Sequence, residues 1–527
     1  MRYDFLGHKI TTGQWNLVKI VCNKFDDRVD AEGNFNYREN FGLMCVMMKS
    51  PEEEIKELCE MGLLKAGTKP DTLRMVGKTR MGLQPRAEPS KPGQHRPIVS
   101  RRWTGSKLEI GEVAMDAMTR LAEQGLRVNA DVAAMLDDVD QWANAQVAAS
   151  VKQACRKAGE VVYSDTFVDW RGRVYMQTGA WGSPQQSRLM RALMEAPEAK
   201  PLDLESEAGV YFLELIEDEY DVTITNYGDI LDTAIRNSHD ALRYRAALAL
   251  AEVITSGATA YLLEQDASCS GGQIIAHLTG DRDLASAVNA CVREGRGDLY
   301  LTLADDASLD RMWHLLGLQG DDNRSIRRQL AKPVVMVSFY GGGEDSIVAN
   351  LWEAHDGEFD AEGEMIGTVE VYGFTITPQL AAQIVRGLCM QLDRFAGFKA
   401  FKSWGTSNGQ VLANDDVTAQ WETATGFVAI GTPGMRASGL MPNYIHSVDG
   451  AIVQTVLVDP ALADACVVTI HDAFLTTPDR ALELRDAVRR AYVAVIEATE
   501  VPNWGGKDMQ HDEDFIHEIM DAKIVGV

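Results

Sequence analysis

Apolar and polar positions follow two periods along this chain, and the switches between them divide it into segments. From Glu109 to Lys157 apolar residues recur at Val113, Met115, Met118 and Leu121, then at Val132, Met135 and Leu136, a spacing that predicts a long helix pair. The period then shortens: Val161-Val162-Tyr163 and Phe167 to Tyr175 alternate in strand fashion around a turn. Helices return, notably from Ala241 to Ile254, and Gly257 precedes the apolar run Ala260-Tyr261-Leu262-Leu263, which leads to Gln265-Asp266-Ala267. Ser268-Cys269-Ser270-Gly271-Gly272 then offers a cap and a tight turn into a helix from Gln273 to Leu278. Residues 296–444 read as mainly helical with acidic loops such as Asp356 to Glu364. A second apolar strand, Cys466 to Ile470, leads through His471 to Asp472, and a helix is expected from Arg480 to Thr499. Residues 1–73 mix helical stretches such as Pro51 to Leu64 with short apolar runs and carry no readable motif. The fold class is therefore α+β, mainly helical, and 527 residues exceed a single hydrophobic core.

Two aspartates thus stand where apolar strands end. If those strands are neighbours, Asp266 and Asp472 can together hold a pair of Mg²⁺ ions about 3.5–4 Å apart, which activate an attacking 3′-oxygen and stabilise leaving pyrophosphate. Between them lie Arg328, Lys332 and Tyr340, at i, i+4 and i+12, within about 120° of one helix face. Such a face grips a triphosphate at its basic end and stacks a base at its aromatic end. Arg324 and Arg327 add to it, and in an acidic protein that concentration suggests an anion site. Gly341-Gly342-Gly343 would end the helix and let a template base approach the backbone. Pro333 is expected to kink the helix or to begin it. In Asp169-Trp170-Arg171-Gly172-Arg173-Val174-Tyr175, a strand would point Arg171 and Arg173 the same way, suited to phosphates, with Trp170 and Gly172 on the other face.

Composition narrows this picture in three places. A net charge of −26 argues against indiscriminate binding to nucleic acid, so the positions of the few cations matter. From Arg74 to Lys107 there are nine basic residues against one acid, Glu88, with four prolines among them, which reads either as a linker or as a basic strap over template or transcript. Eight scattered cysteines without a C-x-x-C pair argue against structural zinc and a disulfide framework and suggest a reducing compartment. The start, Met1 to Phe5, lacks the apolar stretch of a signal peptide, and no apolar run nears the length of a membrane span, so a soluble cytoplasmic protein without a membrane partner is expected.

The string Asp169 to Tyr175 resembles a block of the single-subunit DNA-dependent RNA polymerases of bacteriophages and mitochondria, and further blocks follow in that family's order over residues 106–527. Asp266-Ala267-Ser268-Cys269-Ser270-Gly271-x-Gln273 resembles the first metal block, which implies that Asp266 and the carbonyl of Ala267 bind metal; the family usually has glycine at 267. Arg328-x-x-x-Lys332-x7-Tyr340-Gly341 resembles the fingers helix, in which arginine and lysine hold the triphosphate and the tyrosine closes the pocket. Pro442 to Gly450 resembles the block whose histidine, here His446, senses the 2′-hydroxyl. His471-Asp472-Ala473-Phe474 resembles the second metal block. Asp298-Leu299-Tyr300 resembles a shorter block with a tyrosine near the template base. The resemblance implies a right-hand architecture: an accessory region at 1–105, thumb-like helices at 106–160, palm at 161–295 and 445–527, and fingers at 296–444. Catalytic roles fall on Asp266, Asp472, Lys332 and Tyr340, and contacts to substrate or template on Arg328, His446, Arg173, Tyr300, Gly341 and His471. The partners implied are a DNA template, an RNA product, ribonucleoside triphosphates and two Mg²⁺ ions, in a host cytoplasm if the protein is viral.

Phage enzymes carry a long promoter-reading domain where about 105 unrelated residues stand here, and the stretch from Gly341 to His446 is shorter than theirs. A protein partner for promoter recognition or melting, or a single-stranded template, is therefore expected. A primase-like activity stays open. A related DNA polymerase is disfavoured by Ala473 where such enzymes have glutamate, and by Gly271-Gly272 where they place a glutamate against the 2′-hydroxyl. A two-metal nuclease would have no use for the triphosphate helix, and an inactive scaffold would be expected to lose one of the aspartates.

Overall fold

The structure is a computed structural model that describes residues 110–524 apart from 137–142, 144, 178–182, 221–240, 354, 361–362, 372 and 510–514. Before residue 110 it describes only residues 55–56 and the strands Arg2–Phe5, His8–Thr11, Phe35–Asn36, Leu64–Ala66, Thr72–Met75 and Ile98–Val99. The basic strap and the helix expected from Pro51 to Leu64 otherwise lie outside the described residues.

Helix α1 (Glu112–Glu123) buries Ala114, Ala117, Met118 and Leu121; of the face that the spacing predicted, Met118 and Leu121 are buried while Val113 and Met115 are only half-buried. It does not continue into a long helix pair. Gln124 is extended, and strand β1 (Gly125–Val128) pairs on one side with β2 (Val161–Tyr163). Asn129 then caps a six-residue helix, Ala130–Met135, by accepting from the Val132 amide. Local periodicity lost here to sheet hydrogen bonding, which pattern alone does not reveal. Strands β3 (Asp165–Val168) and β4 (Val174–Gln177) form an antiparallel hairpin, and β5 (Met194–Glu195) pairs with the free side of β1.

Helix α2 (Ala241–Ser256) precedes strand β6 (Leu263–Gln265), and α3 (Ser270–Leu278) follows it. The expected cap on α3 is not made by Ser268, whose hydroxyl donates instead to the Val288 carbonyl at 2.7 Å. Among the helices that come next are α4 (Leu299–Ala304), α5 (Arg324–Phe339), α6 (Glu344–Glu353), α7 (Pro378–Leu392) and α8 (Ala396–Asn414). Helix α5 begins at Arg324 and runs through Pro333, so it does not begin at that proline. An internal proline costs about 3 kcal/mol, and the burial of Leu330, Ala331, Val334, Val335 and Phe339 on one face outweighs it. Its end is as expected: Gly341 takes φ +72°, its amide donates to the Ser338 carbonyl and that of Gly342 to Val337, the double closure that glycine permits.

The remaining elements are the hairpin β7 (Thr418–Glu422) and β8 (Val428–Pro433), helix α9 (Ala437–Leu457), strands β9 (Val468–Ile470) and β10 (Ala473–Thr476), and helix α10 (Ala481–Glu497). Helix α9 is buried nearly all round, between α1, α8 and α10. Strands β6, β10 and β9, in that order, form an antiparallel sheet whose register sets Gln265 against Phe474 and Ile470 against Ala473.

Helix α9 meets the β3–β4 turn so closely that a Cβ at Gly450 would stand 2.9 Å from the Gly172 carbonyl carbon and 3.1 Å from the Arg173 amide nitrogen. Those are backbone atoms and cannot swing aside. Gly450→Ala should therefore destabilise the protein by about 1–3 kcal/mol, read as a lower urea midpoint. Gly343→Ala, which meets nothing within 4 Å, should stay within about 0.5 kcal/mol of wild type.

Candidate active site

Asp266 is the first residue beyond β6, and Asp472 is the second residue of the two-residue turn between β9 and β10. With Gln265 paired to Phe474, one further step along the register sets Asp266 against Ala473, beside Asp472 on an adjacent strand about 4.8 Å away. The two strands of the sequence reading are not themselves neighbours: β10 lies between β6 and β9, and Asp472 comes beside Asp266 because it sits in the turn that enters β10. His471 takes φ +59° to make the turn, a left-handed conformation that histidine tolerates better than β-branched residues do.

Burial, then the neighbouring carboxylates of Asp472 and Glu264, push the Asp266 carboxyl up to about 7, against the pull of the Ala267 amide and Lys332. The side chain also faces the open cleft, where water tempers the burial component and leaves the crowding of like charge as the cause that persists. Hard oxygen donors held together against their own repulsion suit a divalent cation. Among the described residues no group of three or more His, Cys, Asp or Glu side chains could hold an ion, so such a cation would take its remaining ligands from substrate oxygens and water.

Helix α5 brings its cations to this pair. Lys332 is exposed to the cleft, and its ammonium lies 6.0 Å from the Tyr300 ring centre; the Arg328 guanidinium lies 5.3 Å from the same ring. Arg328 Nε also donates to Asp298 Oδ2 at 2.5 Å, and Asp298 caps α4 through the Leu301 amide. Tyr300 itself is buried, with its hydroxyl 3.5 Å from Met336 Sδ, so it forms the shelf beneath the two cations. Arg324 and Arg327 do not join them. Both bind Asp305, and Arg327 Nη1 also donates to the Leu318 and Gly320 carbonyls at 2.9 and 2.8 Å, which makes it an internal brace and corrects the reading of these two as part of an anion site.

At the other end of α5, the Tyr340 ring lies 5.0 Å from that of His446 on α9. Burial, then Arg173 and Arg171, push His446 down to about 2, so the ring is neutral. Burial raises the Tyr340 phenol, which stays protonated. Gly341, just beyond Tyr340, passes close to α9: a Cβ there would stand 3.1 Å from the Ala437 carbonyl oxygen.

The expected turn within Phe167 to Tyr175 is present, but the strand expected through Arg171 and Arg173 is not: Asp169 to Arg173 form the turn of the β3–β4 hairpin, and Val174 and Tyr175 begin β4. Asp169 Oδ1 accepts from the amides of Arg171 and Arg173 at 2.9 and 3.2 Å, and Gly172 takes φ +97°. Neither arginine presents an unpaired face. Arg171 binds Asp169 Oδ2 through Nε at 2.9 Å and Nη2 at 2.5 Å. Arg173 binds the buried Asp449 of α9 through Nε at 2.9 Å and also through Nη2. Burial pushes the Asp449 carboxyl up to about 6, while Arg173 pulls it down. His471 packs edge-on against Tyr175 at 5.7 Å, and burial, then Arg173, lower its pKa. The turn is pinned once more from α9, where Gln454 Nε2 donates to the Gly172 carbonyl at 2.6 Å and Gln454 Oε1 accepts from Thr425 at the same distance. Trp421 Nε1 donates to Ser447 Oγ at 2.7 Å, so the β7–β8 hairpin lies down on α9.

Sequence reasoning gave no role to Asp169, Asp449 or Gln454. A signal existed for two of them: Asp449 follows His446 by three residues on one helix, and Asp169 heads a segment with two arginines. No helix among the described residues is long and apolar enough to cross a membrane.

Residues 243–424 and 431–507 match the profile of the DNA-dependent RNA polymerase family. Arabidopsis thaliana DNA-directed RNA polymerase 2, chloroplastic/mitochondrial, is 24% identical over 388 residues, 61% of this chain and 37% of the relative. DNA-directed RNA polymerase 1, mitochondrial, of the same plant is 23% identical over 420 residues, 66% of this chain and 41% of the relative. DNA-directed RNA polymerase 2A of Nicotiana tabacum is 24% identical over 278 residues, 45% of this chain and 79% of the relative. The chain thus spans well under half the length of the two Arabidopsis relatives.

The raised Asp266 carboxyl predicts a pH dependence. Its ordinary value is near 4 in an unfolded chain and about 7 here. Between those values the folded state binds more protons, so stability falls as pH rises through that window. In EDTA, Asp266→Asn should match wild type at pH 4 and melt at a higher temperature than wild type at pH 8. An equal Tm difference at both pH values would remove the carboxylate repulsion from the account.

Proposed function

Because the chain belongs to the DNA-dependent RNA polymerase family, we propose that it adds ribonucleotides to an RNA 3′-hydroxyl under the direction of a DNA template. The observation that carries this reading is the sheet register that sets Asp266 beside Asp472 within the electrostatic reach of Lys332. Two Mg²⁺ ions held by Asp266, Asp472 and the Ala267 carbonyl would supply charge neutralisation and lower the pKa of the attacking 3′-hydroxyl. Lys332 meets the triphosphate and can give a proton to the departing pyrophosphate. Arg328 exchanges part of its contact with Asp298 for a phosphate oxygen, since a guanidinium has five donors and Asp298 takes one of them through Nε. Tyr340 and His446 form one wall of the nucleotide pocket and select the ribose. Arg173 acts through its charge near Asp472, Tyr300 as the shelf under the cations, and Gly341 and His471 by shaping the backbone on either side.

In this reading residues 161–295 and 445–527 are the palm, 296–444 the fingers, 106–160 the thumb-like part and 1–105 an accessory region. Promoter recognition or melting falls to a protein partner, or the template is single-stranded. Support comes from the β7–β8 hairpin: Trp421, Thr425 and Phe427 are buried against the palm, so its tip is not free to enter a DNA groove.

The test supplies the protein with Mg²⁺, a single-stranded or a duplex DNA template, and either ribo- or deoxynucleotides. RNA made from single strands and not from duplex is expected. DNA synthesis would favour a DNA polymerase, products that stay at primer length a primase, and no synthesis would overturn the reading. Asp472→Ala should lower incorporation by about 10³-fold or more, the several kcal/mol that metal-held charge supplies, with template binding retained. Tyr340→Phe should narrow the preference for ribonucleotides by about tenfold, the scale of one hydrogen bond.

A further inference from the structure

His446 receives a hydrogen bond that decides which of its nitrogens carries the proton. Arg171 Nη1 lies 2.7 Å from His446 Nδ1. A guanidinium has only donors, so Nδ1 must be the acceptor and carry a lone pair. The ring is neutral, which leaves its single proton on Nε2. Among the described residues no group takes up that N–H, and the Tyr340 ring centre lies 5.0 Å from that of His446.

The arginine that makes this bond is itself clamped. Asp169 Oδ2 accepts from both Nε and Nη2 of Arg171, and the Tyr175 hydroxyl lies 3.2 Å from Nη2 and donates to the same carboxylate oxygen at 3.1 Å. Asp169 is held in turn by the amides of its own turn, and the turn by Gln454. A planar fork with Nε and Nη2 engaged on one side can present Nη1 in only one direction. That direction is His446.

We propose that Arg171 is a positioning residue for nucleotide selection, holding His446 as the Nε2–H tautomer so that the ring offers a donor, and not an acceptor, to the 2′-oxygen of the incoming ribose. The inference rests on the polymerase reading and adds to it a source for the polarity of sugar recognition. A deoxynucleotide has no oxygen there and leaves the donor unpaired in a half-buried pocket, which costs the wrong sugar binding energy. An acceptor in the same place would also attract water and could take a proton from the hydroxyl. The clamp removes that second state.

Two measurements test it. Ring ¹⁵N shifts of histidine-labelled protein, with His446 assigned through His446→Gln, read the tautomer without turnover: a protonated Nε2 and an unprotonated Nδ1 are expected in wild type, and a mixture in Arg171→Met. A protonated Nδ1 in wild type would overturn the proposal. Single-nucleotide extension with ribo- and deoxynucleotides reads the consequence. Arg171→Met should lower the ratio of kcat/KM for the two sugars by about tenfold, with the loss on the ribonucleotide side, and Arg171→Lys, which keeps a donor, should recover part of it. An equal loss for both sugars, or an unchanged ratio in an active enzyme, contradicts the proposal. Failure of the polymerase reading shows differently, as no incorporation by wild type.

Discussion

The register of one short antiparallel sheet is the constraint on which the rest depends. Strands β6, β10 and β9 have three, four and three residues, yet their pairing decides whether Asp266 and Asp472 stand together or apart. A slip by one residue would turn every side chain of a strand to the opposite face. Burial prevents it, because every residue of β9 and β10 is buried and α10 packs against β10. The apolar sheet thus places two like charges side by side at its edge, an arrangement that is unfavourable in the protein alone and relieved when a cation arrives.

Around that pair the chain distributes its few cations with carboxylate partners. Arg173 rests on Asp449, Arg171 on Asp169 and Arg328 on Asp298, each partner fixed by its own element. In a chain of net charge −26 this does two things. It holds long side chains in one geometry ahead of substrate, and it keeps positive charge at the cleft within an acidic surface. Lys332, exposed on α5, carries no carboxylate partner among the ion pairs of the described residues, and in the proposed reading it is the cation that meets the triphosphate. Helix α9 connects these parts: it carries His446 and Asp449, receives the β3–β4 turn at Gly450 and Gln454, and is covered by the β7–β8 hairpin.

What was legible in the sequence was what local pattern encodes. Apolar runs ending in aspartate announced β6 and β9, and the spacing of Arg328, Lys332 and Tyr340 announced α5. What was not legible came from pairings distant in sequence. Gly125 to Val128 carries an apolar pattern compatible with a helix and becomes a strand because β2 and β5 lie on either side of it. Pro333 was read as a kink or a helix start because propensity says so, and with one face of α5 buried the helix begins nine residues earlier, at Arg324. The turn near Gly172 was legible, but Arg171 and Arg173 were placed on one strand face because a turn closed by an aspartate carboxylate is set by hydrogen bonds that sequence does not display. Arg327 and Arg328 are neighbours of one type with different destinations, one an internal brace and one at the cleft, and only the helix phase separates them.

The claim that the paired carboxylates form a two-ion centre is tested most directly by counting ions. Electron paramagnetic resonance can titrate Mn²⁺ against the protein bound to an RNA-primed DNA template with an unreactive ribonucleoside triphosphate analogue. The account predicts two ions per wild-type complex and loss of that binding when Asp266 and Asp472 are both replaced by asparagine. The same stoichiometry and affinity in the doubly substituted protein would contradict it.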